Sequence, residues 1–321
     1  MVSESWSVSR HGSLASCERR YFYQYLAQAR INSSNAKLRE IAWLKQLKTI
    51  PAWSGSIFHA QAQVFLEACM GGRQIPADQL ANEADRLMRL NWDWSRSAAA
   101  QRPPRVGGNV PLFEHQYGPE PDERTRDEAV KRVGSWLAAL ARYAESSGLL
   151  DELRTSVRHW IEPPIFGPGA ASVEIDGVTV YTKVDLAFLS REGEFRIVDW
   201  KTGRVPTRTG WQSSGEFQVG IYKLWPHLAF KIPTEKIRAD LVYIAENPVL
   251  SEKSSLTDED RDLMLSNVRR SIARMRQFAD ARQDGMELSD LSYASAAGLC
   301  RFCNFKGPCI QSLDGGLESA W

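Results

Sequence analysis

The chain lacks a long apolar run and a strong charge bias. None of its apolar segments approaches the ~18 residues that a membrane-spanning helix needs. Its first residues, MVSESWSVSRHGS, contain no apolar stretch of the secretory type, which predicts a cytosolic, cytoplasmic protein without membrane contact. The formal net charge is only +1, so bulk charge does not indicate a nucleic-acid partner, although a local basic groove is compatible with this value.

Cysteine is scarce, with five residues among 321, and a reducing compartment disfavours disulfides. Cys17 stands alone near the N-terminus, whereas Cys300, Cys303 and Cys309 form a C-x2-C-x5-C cluster. This spacing predicts metal ligation rather than core packing. Zinc and an iron–sulfur cluster both accept four thiolates, so the spacing leaves both open. Cys69 lies on an apolar helix and is expected to be a core thiol.

The first half of the chain has a helical pattern. Helices are predicted over 9–30, 54–71, 77–100 and 122–148. The Pro- and Gly-rich segment 101–122 is predicted to be a loop. The helices within 60–150 are therefore interpreted as a helical insertion into one domain that spans 1–321.

Strand patterns begin near residue 153. Short β-branched and aromatic runs alternate with turn signals, and hairpins are predicted at 175–178 and 191–194. A helix, a further strand and a helix over 257–284 follow. The pattern predicts an α/β fold in which 153–250 forms a mixed β-sheet core flanked by helices. The segment 255–321 supplies a C-terminal helix and three cysteines, and Cys17 completes the set.

An acidic constellation lies within the predicted sheet. Asp185 ends the run VYTKVDLAF, and Asp199 follows the apolar run FRIV, so a strand hairpin would bring both carboxylates to one end of the sheet. Lys201 lies on the same strand face as Asp199. Carboxylates can hold Mg²⁺ or Mn²⁺ at a phosphodiester, and a lysine can assist the attacking water. A lone Asp-x-Lys triplet can equally be an exposed turn of opposite charges.

Further residues strengthen the catalytic interpretation. Gln218 and Tyr222 are four residues apart on the next helix and share a face. His59 lies on an early helix, and imidazole is a common partner of carboxylates in Mn²⁺ sites.

In their order along the chain, these residues resemble the RecB family of the PD-(D/E)XK nuclease superfamily. The family's motifs are an N-terminal helical His, G-x-x-D, D-x-K-T-G and Q-x-x-x-Y; here Thr182 replaces the glycine of the second motif. The resemblance implies a restriction-endonuclease-like fold and a metal-dependent deoxyribonuclease. The implied metal ligands are His59, Asp185, Asp199 and the Trp200 carbonyl, and the implied catalytic residues are Asp185, Asp199, Lys201, Gln218 and Tyr222. The family also often has a glutamate on an early strand. Glu162 and Glu174 are the candidates for it, with Glu162 preferred, and either could also be a solvated strand residue.

The cysteine pattern extends the resemblance. AddB-type helicase-nucleases and CRISPR-associated exonucleases join one early and three late cysteines around a 4Fe–4S cluster, and CERRYFYQYL is similar to their first-cysteine helix. The resemblance therefore implies a 4Fe–4S cluster held by Cys17, Cys300, Cys303 and Cys309, with zinc as the alternative.

The expected partner is DNA, either single-stranded or with free ends. An exonuclease in recombination, repair, or phage or CRISPR-type defence fits this resemblance. Arginines within 261–282 could face DNA or solvent, and the aromatic residues within 21–25 could stack on bases or form core. The alternative function is a non-catalytic DNA-binding or adaptor subunit, with the helical insertion as the surface for a protein partner.

Overall fold

The computed structural model describes residues 5–27, 29–30, 32–101, 107–118, 121–205, 214–283, 288–294 and 298–311. Within these ranges no helix combines the length and apolarity that crossing a bilayer requires.

Helices dominate the first half of the chain. A short strand comes first, and eight α-helices and one π-helical turn follow: β1 Ser5–Trp6, α1 Val8–Ser16, α2 Glu18–Tyr21, the π turn Phe22–Leu26, α3 Ala36–Leu44, α4 Ile50–Met70, α5 Ala77–Gln101, α6 Phe113–Tyr117, α7 Glu123–Ser146 and α8 Leu149–Thr155. The expected helices near 77–100 and 122–148 are present. Helix α4 begins earlier than expected because Thr49 caps it, accepting from the Ala52 N–H at 3.4 Å.

Two local predictions in this half were wrong. The helix expected over 9–30 is interrupted at Cys17, whose extended backbone ends α1 and whose Sγ accepts from the Arg20 N–H at 3.4 Å. The segment 101–122 contains α6 instead of only loop. Helix α6 forms because Phe113 is buried and because the Glu114 carboxylate accepts the Ile50 N–H at 3.0 Å, which holds α6 at the start of α4.

Strands and long helices alternate in the second half. The elements are β2 Arg158–Ile161, β3 Ser172–Ile175, β4 Val178–Tyr181, β5 Leu186–Leu189, β6 Phe195–Lys201, α9 Ser214–Phe230, β7 Ile237–Tyr243, β8 Leu250–Ser255, α10 Asp258–Gln283, α11 Gly298–Arg301 and α12 Lys306–Gln311. Single 3₁₀ turns lie at Thr234–Lys236 and Leu288–Asp290.

The strands form two mixed sheets flanked by helices, which confirms the predicted α/β class. The larger sheet has the order β2-β5-β6-β7-β8, with β6 and β7 parallel and the other neighbours antiparallel. The smaller sheet has the order β1-β4-β3. Its β3–β4 hairpin turns through Asp176 and Gly177, both at positive φ (50° and 73°), as a two-residue hairpin requires.

The two faces of the larger sheet pack against different helices. Val198 and Trp200 of β6 point to one face and share a core with α4, α5 and α7. Ile197 points to the opposite face and shares a second core with Tyr222 and Trp225 of α9. Because side chains alternate along a strand, Asp199 and Lys201 lie on the α9 face.

A buried charge network joins β6, β7 and α8. Arg196 is 5% exposed, and its Nε donates to Asp240 Oδ2 at 2.8 Å; Asp240 is 0% exposed. Arg196 Nη1 donates to Glu152 Oε2 at 2.8 Å, and Arg238 donates to the same oxygen at 2.8 Å. Such a pair is costly to break because the remaining charge stays desolvated.

We predict that Asp240→Asn destabilises the fold. Loss of the buried carboxylate charge leaves Arg196 without its main counter-ion, so the free energy of unfolding should fall by about 3 kcal/mol in urea titrations. The control is Asp262→Asn, because Asp262 pairs with Arg261 on the surface, where an ion pair contributes less than ~1 kcal/mol. Equal losses in the two variants would contradict this interpretation.

Candidate active site

Three carboxylates lie side by side where neighbouring strands end. The β2–β5 and β5–β6 ladders both reach Leu186. One residue further along the same register stand Glu162, Asp185 and Asp199, and the Glu162 N–H donates to the Asp185 carbonyl at 2.8 Å. Residues that lie opposite each other across strands project to the same face. The register therefore brings the three acidic side chains together.

His59 on α4 meets two of these carboxylates. Its Nδ1 lies 3.0 Å from Glu162 Oε1 and 3.3 Å from Asp185 Oδ1. Across the described part of the chain, these three residues are the one group whose candidate metal-ligand atoms all lie within 4.8 Å of one another. An imidazole with two carboxylates is a donor set that suits Mn²⁺, and carboxylates suit Mg²⁺.

Electrostatics favour a cation at this point. Burial alone would lower the pKa of His59, but Asp185 and Glu162 outweigh burial and raise this pKa to about 10. An imidazolium therefore compensates the carboxylates at neutral pH. A divalent ion at the same place would require the neutral imidazole, so metal binding competes with this proton.

Asp185 and Asp199 have different environments. Asp185 Oδ2 accepts the Trp200 backbone N–H at 2.8 Å. Asp199 is only 2% exposed, and its Oδ2 lies 2.6 Å from Lys201 Nζ. Burial and the Asp185 charge raise the pKa of Asp199 to about 6, although Lys201 acts in the opposite direction. A second cation beside Asp199 would stabilise the ionised form of its carboxyl group.

Helix α9 positions the lysine. Lys201 Nζ donates to Gln218 Oε1 at 2.8 Å, and Gln218 Nε2 donates to the Tyr222 hydroxyl. Burial, followed by the charge of Asp199, raises the pKa of Tyr222 well above its ordinary value, so the phenol stays neutral. The two α9 side chains thus fix the ammonium beside Asp199.

Helix α4 approaches the Lys-Thr-Gly turn closely. A Cβ placed on Gly55 would lie 3.2 Å from Thr202 Oγ1. Glycine at position 55, one turn before His59, therefore lets the helix that carries the imidazole pack beside the turn that follows Lys201.

The predicted site residues mostly converge. His59, Asp185, Asp199, Lys201, Gln218 and Tyr222 form one continuous contact network, and Trp200 joins it through its backbone N–H. Glu162, which was not among the implied ligands, lies beside His59. Glu174 lies elsewhere, exposed on β3, and accepts from Thr179 Oγ1 at 2.6 Å.

The four clustered cysteines line one pocket of about 410 Å³. The pocket also has four basic lining residues: Arg19, Arg20, Arg301 and Lys306. Burial raises the pKa of the Cys303 and Cys309 thiols. Cys69 is buried in a different core, with α4 and α7.

Two regions had DNA contact as one of two possible roles, and the structure shows how each is engaged. Tyr21, Phe22 and Tyr23 are buried in the core. On α10, Arg269 pairs with Asp176 at 3.1 Å and Arg274 with Glu18 at 3.4 Å. The side chain of Arg282 lies outside the described residues.

Comparison with known proteins identifies the superfamily to which the chain belongs. The sequence profile of the PD-(D/E)XK nuclease superfamily matches residues 5–310, so the chain belongs to this superfamily of metal-dependent nucleases. The chain is also similar to the protein in the crystal structure of SSO0001, at 15% identity, 59% coverage of this chain, 80% coverage of the other and a TM-score of 0.31. A search of curated proteins returned no match.

We predict that Mn²⁺ or Mg²⁺ stabilises the protein through this site. Metal at about 100 times its Kd should raise the free energy of unfolding by about 2.7 kcal/mol, seen as a rise in Tm. Glu162→Gln should reduce this rise in Tm, because the substitution removes the negative charge of a candidate metal ligand beside His59. Glu174→Gln is the matched control and should keep it. A full rise in Glu162→Gln would exclude Glu162 from the site.

Proposed function

We propose that the protein is a Mg²⁺- or Mn²⁺-dependent DNA nuclease of the RecB type. It hydrolyses phosphodiester bonds and acts as an exonuclease on single-stranded DNA or DNA ends. The observation that carries this proposal is the convergence of the His59 imidazole, three carboxylates and the Lys201 ammonium at the ends of adjacent strands. The order of these motifs along the chain supports the RecB subtype.

The ligand roles come from the resemblance and are supported by contacts for part of the set. His59, Asp185, Asp199 and the Trp200 carbonyl would hold the metal, and Glu162 would join them because it lies beside His59 and Asp185. When bound, a divalent ion supplies Lewis acidity at the phosphate and lowers the pKa of a coordinated water. The Trp200 N–H donates to one Asp185 oxygen, so the other oxygen, which lies 3.3 Å from His59 Nδ1, would be available to a metal ion.

Lys201 acts beside the metal. Lys201 Nζ donates to Gln218 Oε1 at 2.8 Å and forms an ion pair with Asp199 Oδ2 at 2.6 Å. Because an ammonium has three N–H donors, another can donate to the attacking water or to a phosphate oxygen. Charge that develops on the phosphate in the transition state is thereby stabilised in a largely buried setting.

We predict that Lys201→Ala lowers cleavage of labelled single-stranded DNA by at least ~10²-fold, the effect of losing one preorganised transition-state donor. The same variant should keep the Mn²⁺-induced rise in Tm, because its role is in the chemistry. Asp199→Ala should lose cleavage and weaken the Tm response.

His159 offers a matched control. It is an exposed histidine on β2, so His159→Ala should cleave like the wild type, whereas His59→Ala should be inactive. Cleavage that persists in Lys201→Ala and His59→Ala would refute the nuclease assignment to this site.

We further propose that Cys17, Cys300, Cys303 and Cys309 hold a 4Fe–4S cluster. Their shared pocket supports this, and its four basic residues would offset the negative charge of a thiolate-bound cluster. The resemblance to nucleases that join one early and three late cysteines around such a cluster favours it over zinc.

We predict that protein purified without oxygen is brown and contains iron and acid-labile sulfide in equal amounts. Cys303→Ser should lose both, because one of four thiolate ligands is removed. Cys69→Ser is the control and should retain them, since Cys69 lies in a separate core. If the wild-type protein contains zinc and no sulfide, the four cysteines hold zinc, the alternative, and the cluster proposal is wrong.

A further inference from the structure

A loop that is tied at both ends begins directly after Glu162, one of the candidate metal ligands. Residues 163–170 follow Glu162, whose N–H donates to the Asp185 carbonyl at 2.8 Å. At the other end, Ala171 accepts both the N–H and the Oγ1 of Thr182, each at 2.8 Å. Both ends of the loop are therefore fixed to the short segment 182–185, which ends at Asp185.

The loop exposes apolar side chains beside the site. Phe166 is 67% exposed and Ile165 is 46% exposed. The Phe166 ring meets Tyr181 edge to face, with centroids 4.9 Å apart. Phe166 is four residues after Glu162, so their Cα atoms are separated by at most about 14 Å. Ile165 and Phe166 are neighbouring exposed apolar side chains on a loop tied at both ends beside the acidic group, which makes them a candidate binding surface.

Positive charge borders the same aromatic pair. Lys183 is exposed between Tyr181 and Asp185. Lys48 Nζ donates to Ser56 Oγ on α4, one turn before His59, at 2.7 Å. Both lysines, like both rings, thus lie within a few residues of, or in contact with, the segments that carry the acidic centre.

We propose that Phe166 and Tyr181 form a base-stacking platform for single-stranded nucleic acid, with Lys183 and Lys48 contacting its phosphates. The proposal rests on the proposed nuclease function. Stacking on a ring is open to any unpaired base, whereas paired bases in a duplex keep their faces covered. The platform would therefore favour an unpaired strand and hold it where its backbone crosses the metal position.

The test measures binding without cleavage. Fluorescence anisotropy with a labelled single strand and a matched duplex is recorded in the Lys201→Ala background, with Ca²⁺ as the metal. Adding Phe166→Ala should weaken single-strand binding about tenfold, the effect of losing one stacked base, and should change duplex binding far less. Phe166→Tyr keeps the ring and should restore single-strand affinity.

A matched control separates stacking from general loss of apolar surface. Leu90 is 57% exposed on α5, which packs on other helices, so Leu90→Ala should bind both substrates normally. A strand that contains 2-aminopurine adds a direct readout, because stacking quenches its fluorescence. Phe166→Ala should relieve that quenching.

The outcomes separate this proposal from the nuclease proposal. Unchanged single-strand binding in Phe166→Ala, equal losses for strand and duplex, or unchanged 2-aminopurine fluorescence would overturn the platform, even if cleavage is robust. Selective loss of single-strand binding would support it, even if no metal sustained cleavage by the wild type.

Discussion

The candidate active site depends on three carboxylates that the fold holds close together near the ends of adjacent strands. Glu162, Asp185 and Asp199 occupy adjacent register positions across β2, β5 and β6, and burial together with the Asp185 charge raises the pKa of Asp199. The imidazolium of His59 and the ammonium of Lys201 offset the charge of these carboxylates. The fold thus keeps a concentrated negative site that a divalent ion can occupy with a gain in stability.

Different parts of the chain supply the compensating charges. The α4, α5 and α7 helices share one core with Val198 and Trp200, which places α4 and hence its imidazole. Helix α9 covers the other face and fixes the lysine through Gln218. The imidazole comes from α4 and the ammonium from β6 itself, where Gln218 of α9 holds it. Compensation of the carboxylates therefore depends on helices packed against both faces of the sheet.

The sequence predicted local features better than long-range ones. The Asp199–Lys201 pair and the Gln218–Tyr222 pair follow from strand and helix periods, so their faces could be read directly. The place of Glu162 depends on its register against β5 and on a contact with His59 across 103 residues, which no local pattern encodes. The second sheet was also missed, because β1 contains only Ser5–Trp6 and pairs with the distant β4.

The cysteine pocket and the acidic site are linked by a short path along the chain. Phe305 stacks on Tyr23 with ring centroids 5.2 Å apart, and Asn304 Nδ2 donates to the Leu47 carbonyl at 2.9 Å, so the C-terminal segment is anchored by contacts other than its thiols. From Cys17, helix α1 leads back to β1, whose partner β4 runs into the segment that ends at Asp185. If Cys17 ligated a cluster, the position of helix α1 and of strand β1 would be restrained. Its structural effect would therefore extend to the strand end where the carboxylates meet, while the chemistry remains on the larger sheet.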